Sequence, residues 1–186
     1  MKTTKTCHSL AALSLLTLLL SGCSKDDITY VESDAKEETA INLDCADFNA
    51  DIALLQTLTA ELLSGSCILS VDGNTLSFDS GTSVTVTVRE SYGFGYVNPA
   101  VGISGKYWVI DGRALETLFS EALPLFQCKD GSWYYSLDAG QTWSFHADAE
   151  AGTDIPVFTS LTDDGTEVVV TLGSGSSFSF DYVEED

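Results

Sequence analysis

Hydrophobic positions change their spacing twice along this chain, and each change marks an element. Residues 10–20 form a short run dominated by leucine and alanine. From Asp44 the period becomes helical: Phe48, Ile52, Leu55 and Leu62 recur at spacings of 4, 3 and 7, and Leu54, Leu58 and Leu63 widen the stripe. This predicts one amphipathic helix over 44–65. Asp44 and Asp47 place carboxylates at its positive end, and Ser64-Gly65 supplies the stop. Carried back through Ile41 and Cys45, the stripe becomes a heptad-like seam about three heptads long with Thr59 on it. Two readings follow. One is a coiled coil that joins copies of the chain through residues 44–63; the other is a helix packed on its own sheet.

Beyond Gly65 the period drops to two. Leu76 and Phe78, then Val84, Val86 and Val88, alternate with Ser and Thr, as in strands with one wet face. Asp79-Ser80-Gly81 turns this pair and Asp72-Gly73 introduces it. The pattern recurs near the C-terminus, where residues 172–180 match residues 78–86 and Asp164-Gly165 takes the role of Asp72-Gly73. Inside this bracket lie residues 105–112 and 131–143, both running glycine, polar, aromatic, aromatic, turn. The expectation is a mainly β fold with an N-terminal α-helix, its β-rich domain (66–186) built of four hairpins in the order A, B, B′, A′. Between B and B′, Leu115, Leu118, Phe119 and Leu123 before Pro124 suggest a short helix or an ordered loop.

The N-terminus decides the compartment. Lys2 and Lys5 precede an apolar run too short to span a bilayer, so residues 1–22 read as a signal peptide rather than a membrane span. Leu20-Ser21-Gly22-Cys23 resembles the lipobox of bacterial lipoproteins, which implies acylation of Cys23 and a membrane anchor; the plainer alternative is a secretory signal with a chance cysteine. Ser24-Lys25-Asp26-Asp27 resembles a short acidic signal for surface display. The expected location is therefore the outer membrane, exposed at the cell surface. Residues 23–43 comprise the acylated cysteine and an acidic, polar tether too poor in apolar residues to order itself.

Charge then narrows the partners. Lys2 and Lys5 leave with the signal, so six basic residues face 28 acidic ones, a net charge of −22. Such a surface repels nucleic acid, anionic lipid and acidic polysaccharide. Of the cysteines that remain beside Cys23, Cys45 and Cys67 would sit at opposite ends of the helix, too far apart to bridge. With Cys128 they permit at most one disulfide. No cofactor is expected. Calcium is the nearest candidate, through Asp148, Glu150 and Asp154 or through Asp163, Asp164 and Glu167, but neither set has an EF-hand spacing and solvated acidic turns explain both.

From Ser136 the residues Ser-Leu-Asp-Ala-Gly-Gln-Thr-Trp resemble the Asp-box hairpin of sialidase-type propeller blades, with Ser136, Asp138, Gly140, Thr142 and Trp143 in the motif positions. That resemblance implies a rigid turn with Trp143 as its buried anchor, and no chemistry. Taken with the helix-glycine start, Leu76-Ser-Phe78 and residues 105–112, it extends over roughly 44–181 to a wider one. The chain resembles the N-terminal domain of family 29 polysaccharide lyases, found in surface lipoproteins of gut glycan-degrading bacteria. The family domain usually starts with a helix expected to form a coiled coil and can precede a separate catalytic module. Residues 92–101, rich in glycine and aromatics, depart from its pattern.

A lyase must neutralise a uronate carboxylate and abstract the adjacent proton, which calls for cations or a metal beside a base. Past the signal there is one histidine, His146, and two arginines, Arg89 and Arg113. Catalysis is not expected. The aromatics are the better lead, because Tyr107, Trp108, Trp133, Tyr134 and Tyr135 offer flat faces on which sugar rings stack. The expected function is non-catalytic glycan binding or glycan-utilisation support at the surface. A coiled-coil structural or adhesive protein is the alternative, and a lyase a distant one.

Overall fold

The computed structural model describes residues 40–184; Cys23, the signal peptide and residues 24–39 lie outside them. One helix, α1 (Ala46–Ser64), precedes twelve strands. The Asp44 carboxylate accepts the Ala46 amide at 3.0 Å, whereas Asp47 is drawn to Arg89 at 3.3 Å, so the two acids divide the roles of cap and ion-pair partner. The helix ends at Gly65 in the left-handed region, with the Gly65 and Ser66 amides returning to the Leu62 and Glu61 carbonyls.

The strands form four antiparallel sheets of three strands each, every one a simple meander. Sheet A holds β1 (Ile68–Asp72), β2 (Thr75–Phe78) and β3 (Ser83–Thr85). Sheet B holds β4 (Val101–Ser104), β5 (Tyr107–Ile110) and β6 (Arg113–Leu118). Sheet B′ holds β7 (Leu125–Lys129), β8 (Ser132–Ser136) and β9 (Ser144–Asp148). Sheet A′ holds β10 (Phe158–Asp163), β11 (Glu167–Leu172) and β12 (Ser177–Asp181). Each expected hairpin is present and carries one further strand. The A and A′ repeats agree in detail: the β1–β2 ladder shifts register between Ile68 and Ser70, and the β10–β11 ladder shifts between Phe158 and Ser160. The two sheets also meet, with Phe78 and Phe180 edge-on at 4.9 Å and a parallel bridge from Ile68 to Tyr182.

Residues 113–127 are not helical. The tight Asp111-Gly112 turn pairs Ile110 with Arg113, so the chain continues directly into the ladder as β6, then turns through Phe119 into β7. Cross-strand pairing outweighs the weak helical spacing of the leucines. Residues 92–101 likewise acquire a structural reason. Tyr92 and Phe94 stack at 5.3 Å and both pack edge-on to Phe48, while the buried Asp154 carboxylate accepts the Tyr92 and Phe94 amides at 2.6 and 2.9 Å.

The core shows what the helix packs against. Phe48, Ile52, Leu55 and Leu58 are at most 1% exposed, in one cluster with Phe78 and Val86 near sheet A, Trp108 and Ile110 of B, Phe126 of B′, and Phe158, Val170 and Phe180 of A′. The seam is spent on the protein's own sheets. A coiled-coil start through residues 44–63 would have to expose several side chains whose burial is worth roughly 1.5–3 kcal/mol each; in this structure the helix is the hub of the domain. Leu62 and Leu63, at its C-terminal end, remain exposed.

Candidate functional site

The Asp-box turn joins β8 to β9 and is built from Ser136 and Asp138. Ser136 is buried; its hydroxyl bonds the Asp138 carboxylate at 2.7 Å and accepts the Gly140 amide at 2.9 Å. Asp138 also accepts the Thr142 amide at 2.8 Å and its hydroxyl at 2.6 Å. These hydrogen bonds hold the Asp138 carboxyl down at about 2, with Thr142 the largest contributor. Gly140, at φ 85°, supplies the conformation that closes the loop.

Trp143 corrects the expected anchor. It is 36% exposed, its six-membered ring leaning over Gly140, because the turn is closed by polar bonds and leaves the indole on the outside. Two positions on, inside β9, Phe145 is 59% exposed. Across the ladder Tyr134 pairs with Phe145, the rings 5.9 Å apart and edge-on. Phe145 and Tyr134 thus form an aromatic face on the outside of sheet B′, with Trp143 exposed on the turn that leads into it.

The five expected platform residues do not come together. Trp108 and Trp133 are core, and their indole N–H groups donate to the Ala122 and Val97 carbonyls at 2.7 and 2.8 Å. Tyr135 is half-buried against Phe126 and His146. Tyr107 is exposed, but on sheet B beside Ala114, Leu115 and Glu116. Tyr134 alone belongs to the aromatic face. Phe145 escaped the sequence reading, although its alternation with Trp143 in Trp-Ser-Phe-His was the available signal.

Opposite this face, a groove of 340 Å³ between B and B′ is lined by residues including Trp133, Asp111, His146, Asp148 and Glu150. His146 Nε2 lies 2.6 Å from the Asp111 carboxylate, whose other oxygen accepts the Ala100 amide at 2.7 Å. The pair ties β9 to the β5–β6 turn. Among the described residues, no serine, threonine or cysteine lines the groove for it to activate, and no arginine or lysine.

Three of the six carboxylates considered for calcium hold backbone amides. Asp154 holds the Tyr92–Phe94 loop, Asp164 accepts the Thr166 and Glu167 amides at 2.8 and 3.0 Å, and Asp163 accepts the Gly165 amide and the Tyr182 hydroxyl. Among the described residues, no three His, Cys, Asp or Glu side chains converge as metal ligands, and no helix is long and apolar enough to cross a membrane. Comparison with known proteins finds no matching family model, no matching curated protein and no matching solved structure.

Proposed function

We propose that this chain is a non-catalytic lipoprotein, anchored through Cys23 and displayed at the outer surface, that binds glycan through Trp143, Phe145 and Tyr134. The observation that carries the reading is the exposure of two large aromatics, Trp143 on a turn locked by hydrogen bonds and Phe145 on the strand that follows it, with Tyr134 against Phe145. Exposed aromatics on a rigid sheet lose little entropy on stacking against the C–H side of a sugar ring. The resemblance to the lyase-associated domain of surface lipoproteins supports the same compartment and ligand class. The −22 surface favours neutral glycans over uronate-rich ones. A lyase would need cations near its base, and the groove that holds His146 is lined by carboxylates.

A glycan array probed with the soluble chain from Ser24, followed by titration of each hit, tests the proposal. Binding of neutral polysaccharides that is lost with Trp143→Ala supports it. Absence of any glycan binding, or binding indifferent to Trp143 and Phe145, leaves a structural role at the surface.

A further inference from the structure

Cys45 and Cys128 lie far apart in the chain yet share one small buried cluster with Trp133, packed by Ile41, Leu43, Phe94 and Ala149. Their neighbours set the approach. Leu43 forms an antiparallel bridge to Cys128 and donates its amide to the Cys128 carbonyl at 3.2 Å, while the Gly131 amide reaches the Ile41 carbonyl at 3.0 Å. Residues 41–43 therefore run as a short added strand beside β7. Cys45 follows two positions later, at the start of α1, its thiol turned back to the Leu43 carbonyl at 3.7 Å and packed in the same cluster as Cys128. Both are free thiols in this structure, and burial pushes both above the usual thiol range, so neither is a nucleophile in the folded chain. Cys67, beyond the other end of α1, is partly exposed and outside the cluster.

We propose that Cys45 and Cys128 are a cross-linking site, joined as a disulfide when the chain is exported into an oxidising compartment. This rests on the export and anchoring part of the function proposed above. One sulfur, as thiolate, attacks an oxidant of the thiol–disulfide oxidoreductase class to form a mixed disulfide. The second thiolate then displaces the oxidant, closing the sulfur–sulfur bond. The two thiols lose two protons and two electrons, and the oxidant leaves as its dithiol. The exchange takes place before folding buries the pair. The cross-link bears on the tether, because residues 24–40 lead straight into the added strand. Load on the anchor reaches residues 41–43 first; without the cross-link it then pulls on α1, and with it the load stops at Cys45 and passes to sheet B′.

The full chain, expressed with its own signal, is fractionated, denatured without reductant and alkylated. It is then reduced, alkylated with a second reagent and mapped by mass spectrometry. In exported protein Cys45 and Cys128 are expected to carry the second label and Cys67 the first, and Cys67→Ser should leave the pair intact. Cys45 and Cys128 carrying the first label in exported protein overturns the cross-link while export stands, and so does a pair that includes Cys67. A chain that is not exported counts against the export reading alone. Its purified thiol form, refolded in a glutathione redox buffer, then decides the matter: failure to yield the Cys45–Cys128 pair overturns the cross-link.

Discussion

Arg89 donates from Nε to the Asp51 carboxylate at 3.0 Å, on the buried side of α1. The Tyr92 hydroxyl donates to the same oxygen at 2.9 Å and accepts the Val157 amide at 3.0 Å, so one carboxylate ties the helix to two loops. Burial raises the Asp51 carboxyl above its ordinary 3.8, against the opposing pull of the Tyr92 and Arg89 hydrogen bonds. The sign follows. A raised acid contributes stability that is present below 3.8 and is lost as pH rises through the folded value. Removing the cation as Arg89→Met leaves the ionised carboxylate uncompensated and should cost about 3 kcal/mol near neutrality. The loss should shrink as the pH falls, because a protonated Asp51 no longer needs its partner; urea unfolding repeated from neutral pH downward reads the difference.

Asp138 and Asp164 have the opposite sign. Hydrogen bonds, led in each case by the one from a threonine hydroxyl (Thr142 and Thr166), hold both at about 2 against an ordinary 3.8. Their contribution is present above 3.8 and is lost as pH falls through about 2. Protease nicking between β8 and β9 should therefore appear at neutral pH in Asp138→Ala, with the wild-type turn remaining resistant.

Phe145→Ala and Trp143→Ala should each weaken glycan binding by about 1 kcal/mol or more, a fall of roughly fivefold seen by isothermal titration. Because both side chains are largely outside the core, the stability cost should stay below about 1 kcal/mol. A large drop in melting temperature with unchanged affinity would assign these rings to folding instead.

Gly173 has no room for a side chain. A Cβ there would stand 2.0 Å from the Pro156 carbonyl oxygen and 2.6 Å from the Ile155 side chain, where the β11–β12 turn crosses the segment entering β10. Gly173→Ala should destabilise by about 1–3 kcal/mol through overpacking. Asp79, its counterpart in the A repeat, makes the same backbone bond, its amide to the Cys67 carbonyl as that of Gly173 to the Val157 carbonyl, and differs only in that its carboxylate also accepts the Cys67 amide at 3.0 Å.

Cys23→Ala should abolish lipid labelling and release the protein from the membrane fraction, since no helix among the described residues can hold it there. Retention of the variant after a salt wash would contradict an anchor at Cys23.

Much of the fold was legible because its signals are local. Asp72-Gly73, Asp79-Ser80-Gly81 and Asp164-Gly165 turn the chain where their side chains and glycines demand it, and the shared pattern of residues 78–86 and 172–180 announced two sheets of the same build. Residues 113–127 misled because leucines three and four apart fit a helix as well as a bulged strand. A strand's ladder partner is a distant segment that spacing alone does not reveal.

The sequence by itself determined the helix over Phe48 to Leu62, the order A, B, B′, A′ and the polar lock of Ser136, Asp138 and Thr142, each of which depends on contacts within a few residues. Only the tertiary structure decided which aromatics face water. Alternation states that Trp133 and Tyr134 point to opposite sides of β8, but not which side the rest of the chain covers. That choice is made by α1 and residues 92–101, which bring Phe48 and Phe94 against Trp133 and leave Tyr134 to its cross-strand partner Phe145. The same packing placed Cys45 beside Cys128, since burial depends on every segment that arrives at a face and not on the residues that compose it.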